Sequence, residues 1–568
     1  MQPARADTVL TGGRIVTVDG ADRIVEALAI VGDRILAVGC DREIEAYADA
    51  TTRRIALAGR TVIPGLIDAH AHLDNEALKS VYPSLADCRS IADIQARVAA
   101  LAKTAPAGTW IVTMPIGTPP YSRDGADALA ERRYPNRWEL DEAAPAHPVY
   151  ITPILGYWRG RGGFALASIA NSRALALCGI DRDTAPPWSG VMIDRRLSSG
   201  EPTGIFYEWT QISVVELTLM RAAPRFSYTD RARGLARAMS VYNSTGTTSV
   251  VETHGVLPSV IRAYRELEDA GGSSVRAHLM ISPAWGATNV ADVAERMREW
   301  YGWCAGRGLG NHRLRVGGMH TRIGGQSADA RIRIGAMPYT GWSGYAPDSE
   351  IPREMVRELV LEAARMDMRV TTLYADCLDL FEEADRVRPI GDNRWVISHV
   401  RSLSDAEIRR IRALGIVVTT QTNRWIADQG SALRARLGPD REDEIVPLRR
   451  LREAGVPFAL ATDNTPASLF HPLWHCVARR NGHTGEEVAP SQKLSRIEAL
   501  HAATVGGAYL TFEEADKGSL EPGKLADLVV LDADYLGVPE DHIKDLKARL
   551  TMVGGQVVYP ANGASACL

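Results

Sequence analysis

The feature that most constrains this chain is the stretch Val62–Asp74, VIPGLIDAHAHLD. A Pro-Gly pair interrupts the backbone and starts a short apolar run, Leu66-Ile67, which ends in two histidines one residue apart, His70 and His72. On an extended strand alternate side chains share a face, so both imidazoles point the same way. Neutral imidazole is a common ligand for zinc and similar ions, and two of them at the end of a buried strand supply half of a metal site.

Composition narrows the setting. The chain has 568 residues, enough for several domains or for one large barrel with insertions. A net charge of −4 is small for this size and argues against nucleic acid or an anionic membrane as the main partner. No apolar run reaches the roughly 18 residues that span a bilayer. The start, MQPARADTVLTGG, has no long apolar signal core, so the expectation is a cytoplasmic protein. The seven cysteines are scattered, odd in number and form no CxxC pair, which fits a reducing compartment.

Residues 8–58 alternate apolar and polar, punctuated by Gly-Gly, Asp-Gly and Gly-Asp turns, and read as short strands. The stretches ADLVVLDADY and ARLTMVGGQVVYP near the other end repeat that pattern. Between about 61 and 515, buried strand candidates alternate with helical segments. The strand candidates are 149–154, 247–251, 276–281, 313–319, 369–373, 395–397, 417–420 and 458–461. The helical ones include 91–103, 228–244, 257–270, 290–303, 352–366, 404–414 and 497–510. Such alternation implies a parallel sheet, and eight units imply a (β/α)8 barrel. The segment 118–225, rich in Gly, Pro, Trp and Arg and without a clear period, reads as an insertion.

Active sites of such barrels lie at the C-terminal ends of the strands. Besides His70 and His72, the strand ends offer His399, closing RWVISH, and Asp463, closing FALATD. Three imidazoles and a carboxylate suffice to hold a divalent ion and leave a position for water. The competing readings are a buried structural histidine for His399 and a helix cap or Asx turn for Asp463.

VIPGLIDAHAHLD and the late GSLEPGKLADLVV resemble the amidohydrolase superfamily, and NSRAL, GTTSVVE and ATDNTP place the likeness in its YtcJ-like "amidohydrolase family 3" branch. The resemblance implies a distorted (β/α)8 TIM barrel over 61–515, with both chain ends, 1–60 and 516–568, joined in a small β-sandwich. It assigns His70, His72, His399 and Asp463 to the metal, and to Asp463 the further task of taking a proton from the attacking water and passing it to the leaving group. The family's strand-4 lysine is missing from RVGGMH, and its strand-5 histidine falls near Thr372, so one metal is expected rather than two. His320 could substitute as a ligand from strand 4 or play a supporting or structural part. His254 reads as a substrate contact or as loop packing. Arg159 and Arg161 could hold a carboxylate or phosphate, or belong to a solvated loop. Zinc is the default ion for a histidine-rich site, with manganese and iron also suited to N/O ligands.

The function expected is metal-dependent hydrolysis of a non-peptide C–N bond, an amide or cyclic amide of a small molecule, by metal-activated water. The alternatives are a lactonase, deaminase or decarboxylase on the same fold, or a metal-poor pseudoenzyme that only binds ligand. A homodimer is expected on the family resemblance alone.

Overall fold

The computed structural model describes residues 5–118, 122–154, 165–210, 213–283, 285, 288–325, 327–335 and 350–560. Arg159 and Arg161 lie outside the described residues.

Eight parallel strands form the centre: β1 (Leu66–Asp68), β2 (Thr247–Val256), β3 (Arg276–Ile281), β4 (Leu314–His320), β5 (Val370–Leu373), β6 (Val396–Val400), β7 (Val417–Thr420) and β8 (Phe458–Ala459). Successive strands pair in parallel register from β1 to β8. The ring closes through single hydrogen bonds: the Ala69 amide donates to the Leu460 carbonyl at 3.0 Å, and the Asp463 amide to the His70 carbonyl at 3.0 Å. Two apolar layers result from strand alternation. Ala69, Val251, Met280, Val396, Val417 and Ala459 meet inside with Leu510. Leu279, Val316, Val370 and Ile397 face outward against helices such as Arg353–Arg365 and Leu378–Val387.

The helices start where side-chain caps allow. Ser227, Ser404 and Ser495 each accept from the amide three residues on and are met by Asp230, Glu407 and Glu498 in capping boxes. The stretch 497–510, one helix in the sequence reading, is two: Arg496–Ala503 and Val505–Leu510, broken at Thr504. The second piece lies across the bottom of β1, where a Cβ on Gly507 would sit 2.5 Å from Ile67 Cγ2. Only glycine lets the two elements approach that closely.

The strand candidate at 149–154 is not part of the barrel. Val149–Ile151 pairs instead with Ile111–Thr113 and Leu166–Ala170, in a five-stranded sheet that also contains Pro202–Glu208 and Val191–Arg195. Helix Ile91–Thr104 packs on this sheet through Ile94 and Val98. The unit is inserted between β1 and β2, so periodicity alone could not assign its strands to one sheet or the other.

Both ends of the chain build the sandwich. One sheet is made of strands 8–11, 27–31, 34–39 and 53–56; the other joins 14–16, 24–25 and 61–64 to 528–531, 548–553 and 556–559. Thr61–Pro64 runs antiparallel to Leu528–Leu531, with Val529 opposite Ile63. Leu10, Leu28, Ile35 and Ile55 pack against Val62, Leu528, Val530 and Leu550 between the sheets.

Candidate metal centre

β1 carries His70 and His72 into the C-terminal mouth of the barrel, with ring centroids 5.1 Å apart. His399 arrives from β6 by a local irregularity. Val396 faces in and Ile397 out, so strict alternation would turn His399 outward; the ladder shifts register between Ile397 and Val400, and His399 has φ +56°. Its ring therefore enters the barrel, with Nε2 3.1 Å from His70 Nε2. Asp463 follows β8, also left-handed at φ +53°. Its Oδ1 lies 2.9 Å from His72 Nε2, 3.5 Å from His399 Nε2 and 3.7 Å from His70 Nε2. Left-handed backbone at non-glycine residues costs on the order of 1 kcal/mol each, and here two such residues carry the site's side chains.

β2 is longer than its apolar pattern. It continues through Glu252, Thr253 and His254 to a bulge at Gly255, whose φ is +76° and where a Cβ would lie 2.8 Å from the Ile281 carbonyl carbon. That extension brings His254 Nδ1 to 3.4 Å from His72 Nε2. Ligand atoms of His70, His72 and His254 lie within 4.8 Å of one another, and so do those of His70, His399 and Asp463. His320, ending β4, stands edge-on to His254 at 4.7 Å between centroids.

The surrounding bonds orient these rings. Thr371 on β5 donates its hydroxyl to the Thr253 carbonyl at 2.6 Å, so toward His320 it can only accept. His320 Nδ1–H thus donates to Thr371 Oγ1 at 3.1 Å, leaving the Nε2 lone pair buried without a partner. The Thr253 hydroxyl likewise occupies His70 Nδ1. Asp68 accepts from the amides of His70 and Thr462 at 3.2 and 3.0 Å, joining β1 to the start of the Asp463 turn. Asn464 accepts from the His72 amide at 2.9 Å and donates to the His72 carbonyl at 2.6 Å. Glu252 accepts from the Leu73 amide and the Tyr264 hydroxyl at 2.8 and 2.9 Å.

Burial, and then the neighbouring imidazoles of His399 and His72, hold His70 well below its ordinary pKa. Burial and Arg322 push His320 down to about 3. Burial opposes charge on His72 too, yet its bond to Asp463 and the charges of Asp463 and Glu252 outweigh that and raise it. Burial works against an ionised Asp463, but the charges and hydrogen bonds of His399 and His72 hold its carboxyl well below the usual range. Burial lifts Glu252 and Asp68 each to about 7.

A cluster of inward-facing imidazoles around one ionised carboxylate fits a divalent cation. The Nε2 of His320 is an orphan among the described residues, and the Nε2 atoms of His70 and His399 face each other at 3.1 Å.

His254 and His320, open between several parts in the sequence, both stand in this cluster. The strand-5 position is one residue from where the sequence reading put it: Thr372 turns away to Cys377, at 3.5 Å, and Thr371 faces the site. Sequence reasoning missed Gln421, whose amide donates to Asp463 Oδ2. It ends β7 at the same barrel face, and a scan of strand ends that admitted amides would have found it.

Residues 53–559 match the profile described as "Amidohydrolase family". Among curated proteins, N-substituted formamide deformylase of Arthrobacter pascens is 26% identical over 465 residues, covering 77% of this chain and 78% of that one. YtcJ of Bacillus subtilis strain 168 is 24% identical, covering 75% and 77%. Among solved structures, an uncharacterized metal-dependent hydrolase from Pyrococcus furiosus superposes with TM-score 0.64 at 22% identity, over 93% of this chain and 99% of that one.

Proposed function

Because the chain belongs to the amidohydrolase family and is a metal-dependent hydrolase of non-peptide C–N bonds, we propose that it opens an amide or cyclic amide of a small molecule at the mouth of the barrel. The observation that carries this reading is the convergence of His70, His72 and His399 on Asp463, with His254 standing beside His70 and His72.

His70, His72, His399 and Asp463 would hold the ion, with His254 and His320 as the neighbouring nitrogen donors. One ion is favoured over two because both histidine clusters share His70, and Thr253 occupies its Nδ1, leaving Nε2 alone to ligate. Zinc suits such nitrogen-rich ligation best. A divalent ion bound there would acidify water and polarise a carbonyl oxygen. Asp463, ionised and fixed at Oδ2 by Gln421, accepts the proton of the attacking water at Oδ1 and returns it to the departing nitrogen. Glu252, 3.9 Å from His72 Nδ1, steadies the orientation and charge of that ring. The N-substituted formamide deformylase among the relatives makes N-acyl amines the first compounds to try.

The test is a panel of N-formyl and N-acyl amines, cyclic amides and lactones, assayed after chelation and after readdition of zinc, manganese or iron(II). Hydrolysis of a C–N bond that disappears on chelation and returns with about one equivalent of zinc supports the proposal. Metal-independent turnover, or lactone cleavage without amide cleavage, overturns it.

A further inference from the structure

The opposite end of the barrel interior is basic. On β3, Met280 faces inward, and alternation puts His278 and Arg276 on the same side. Arg315 on β4 is the register partner of His278. Val370 packs in the outer layer, so its neighbour Arg369 turns into the barrel.

Most charges here are matched. Arg276 meets Asp527 at 2.8 and 3.0 Å, Lys517 meets Glu513 at 2.7 Å, and Arg394 meets Glu514 at 2.6 Å. Arg369 is not matched. It is 1% exposed; its Nε donates to the Arg394 carbonyl at 3.0 Å, and its guanidinium carbon lies 5.2 Å from the centre of the Phe512 ring. Nη1 and Nη2 have no hydrogen-bond partner among the described residues. His278, 3% exposed, has an unpartnered Nδ1; Arg315, half-buried with Nη1 3.5 Å from the Arg307 carbonyl, has an unpartnered Nε.

A guanidinium only donates, and a buried charge without a partner costs several kcal/mol. Even with burial and Arg394 lowering it to about 9, Arg369 is charged at neutral pH. The groups that would complete this pocket must accept hydrogen bonds and carry negative charge, which water does only in part.

We propose that Arg369, His278 and Arg315 form a buried site for a small inorganic anion of the chloride class, inside the N-terminal half of the barrel and separate from the imidazole cluster. The anion balances Arg369 and accepts from donors on β3, β4 and the start of β5. It would tie those strands together on the inner face of the barrel.

The test uses the full chain. Crystals soaked in sodium bromide are measured at the bromine absorption edge, and thermal midpoints are compared in sodium chloride and sodium gluconate of equal ionic strength. The expected result is an anomalous peak within hydrogen-bond distance of Arg369 Nη1 or Nη2. Chloride should raise the midpoint by about 1 °C or more in the wild type and by nothing in Arg369→Met. Density at those nitrogens without anomalous signal overturns the proposal, as does an equal chloride effect in wild type and variant. Should Arg369→Met fail to fold, the bromide map of the wild type decides alone.

Discussion

At the scale of single residues, Asp463 has a separate task for each oxygen. Oδ2 takes the Gln421 amide, and Oδ1 faces the rings of His72 and His399. On the proposed mechanism Asp463→Asn keeps the shape but removes the proton acceptor, so kcat should fall by about 10²–10⁴-fold with the circular dichroism spectrum unchanged. Thr371 acts at one remove. Thr371→Val retains the volume yet deprives His320 Nδ1–H of its acceptor, and metal affinity by chelator competition should drop about 10–100-fold, with Thr371→Ser restoring it. The two histidines of β1 are legible in the sequence because His-x-His on a strand fixes their common face. His399 and Asp463 could be located by strand ends, but not oriented. The His399 ring points inward because the backbone turns left-handed there, and no local pattern announces a positive φ at histidine. Thr253, Thr371 and Gln421 escaped notice because their roles come from partners on other strands.

At the scale of elements, the repeating βα pattern was readable where short strands are buried along their whole length and rich in β-branched or apolar residues, as in β3, β5 and β7. It failed where contact outside the element decides the outcome. β2 runs on past its apolar part because the bulge at Gly255 lets polar residues follow the barrel wall, and the helical stretch from Arg496 to Leu510 is broken at Thr504, its second piece passing close to β1 at Gly507. Gly507→Ala should therefore destabilise by about 1–3 kcal/mol in urea titration, since its new methyl meets Ile67 rather than open space. An alanine at Gly485, with nothing within 4 Å but φ +71°, should cost only its backbone strain.

At the scale of the whole molecule, buried charges bind the parts together. Arg276 and Asp527 link β3 to the start of the returning segment, and both are nearly inaccessible. Removing one partner strands the other, so Asp527→Ala should cost about 3–5 kcal/mol. Glu513 gives the acid limb a predictable form. Burial opposes its charge, but Lys517 and His312 prevail and lower its pKa from 4.5 to about 2. A depressed carboxyl stabilises above its unfolded pKa, so up to about 3 kcal/mol is present above pH 4.5 and is lost as pH falls toward 2. Glu513→Gln should flatten that part of the stability curve. The meeting of the two chain ends was legible only through resemblance to a family, because alternation marks strands without saying which distant strand they join.

That meeting has a temporal consequence. Strand Thr61–Pro64 leaves the ribosome more than 450 residues before the partner it needs, Leu528–Leu531. Until Leu528–Leu531 has been made, Ile63, Ile15 and Leu10 lack these neighbours, and the nascent chain carries a sticky, half-made sheet. Chaperones that shield early apolar strands should thus govern the yield of this protein more than the rate at which its barrel closes.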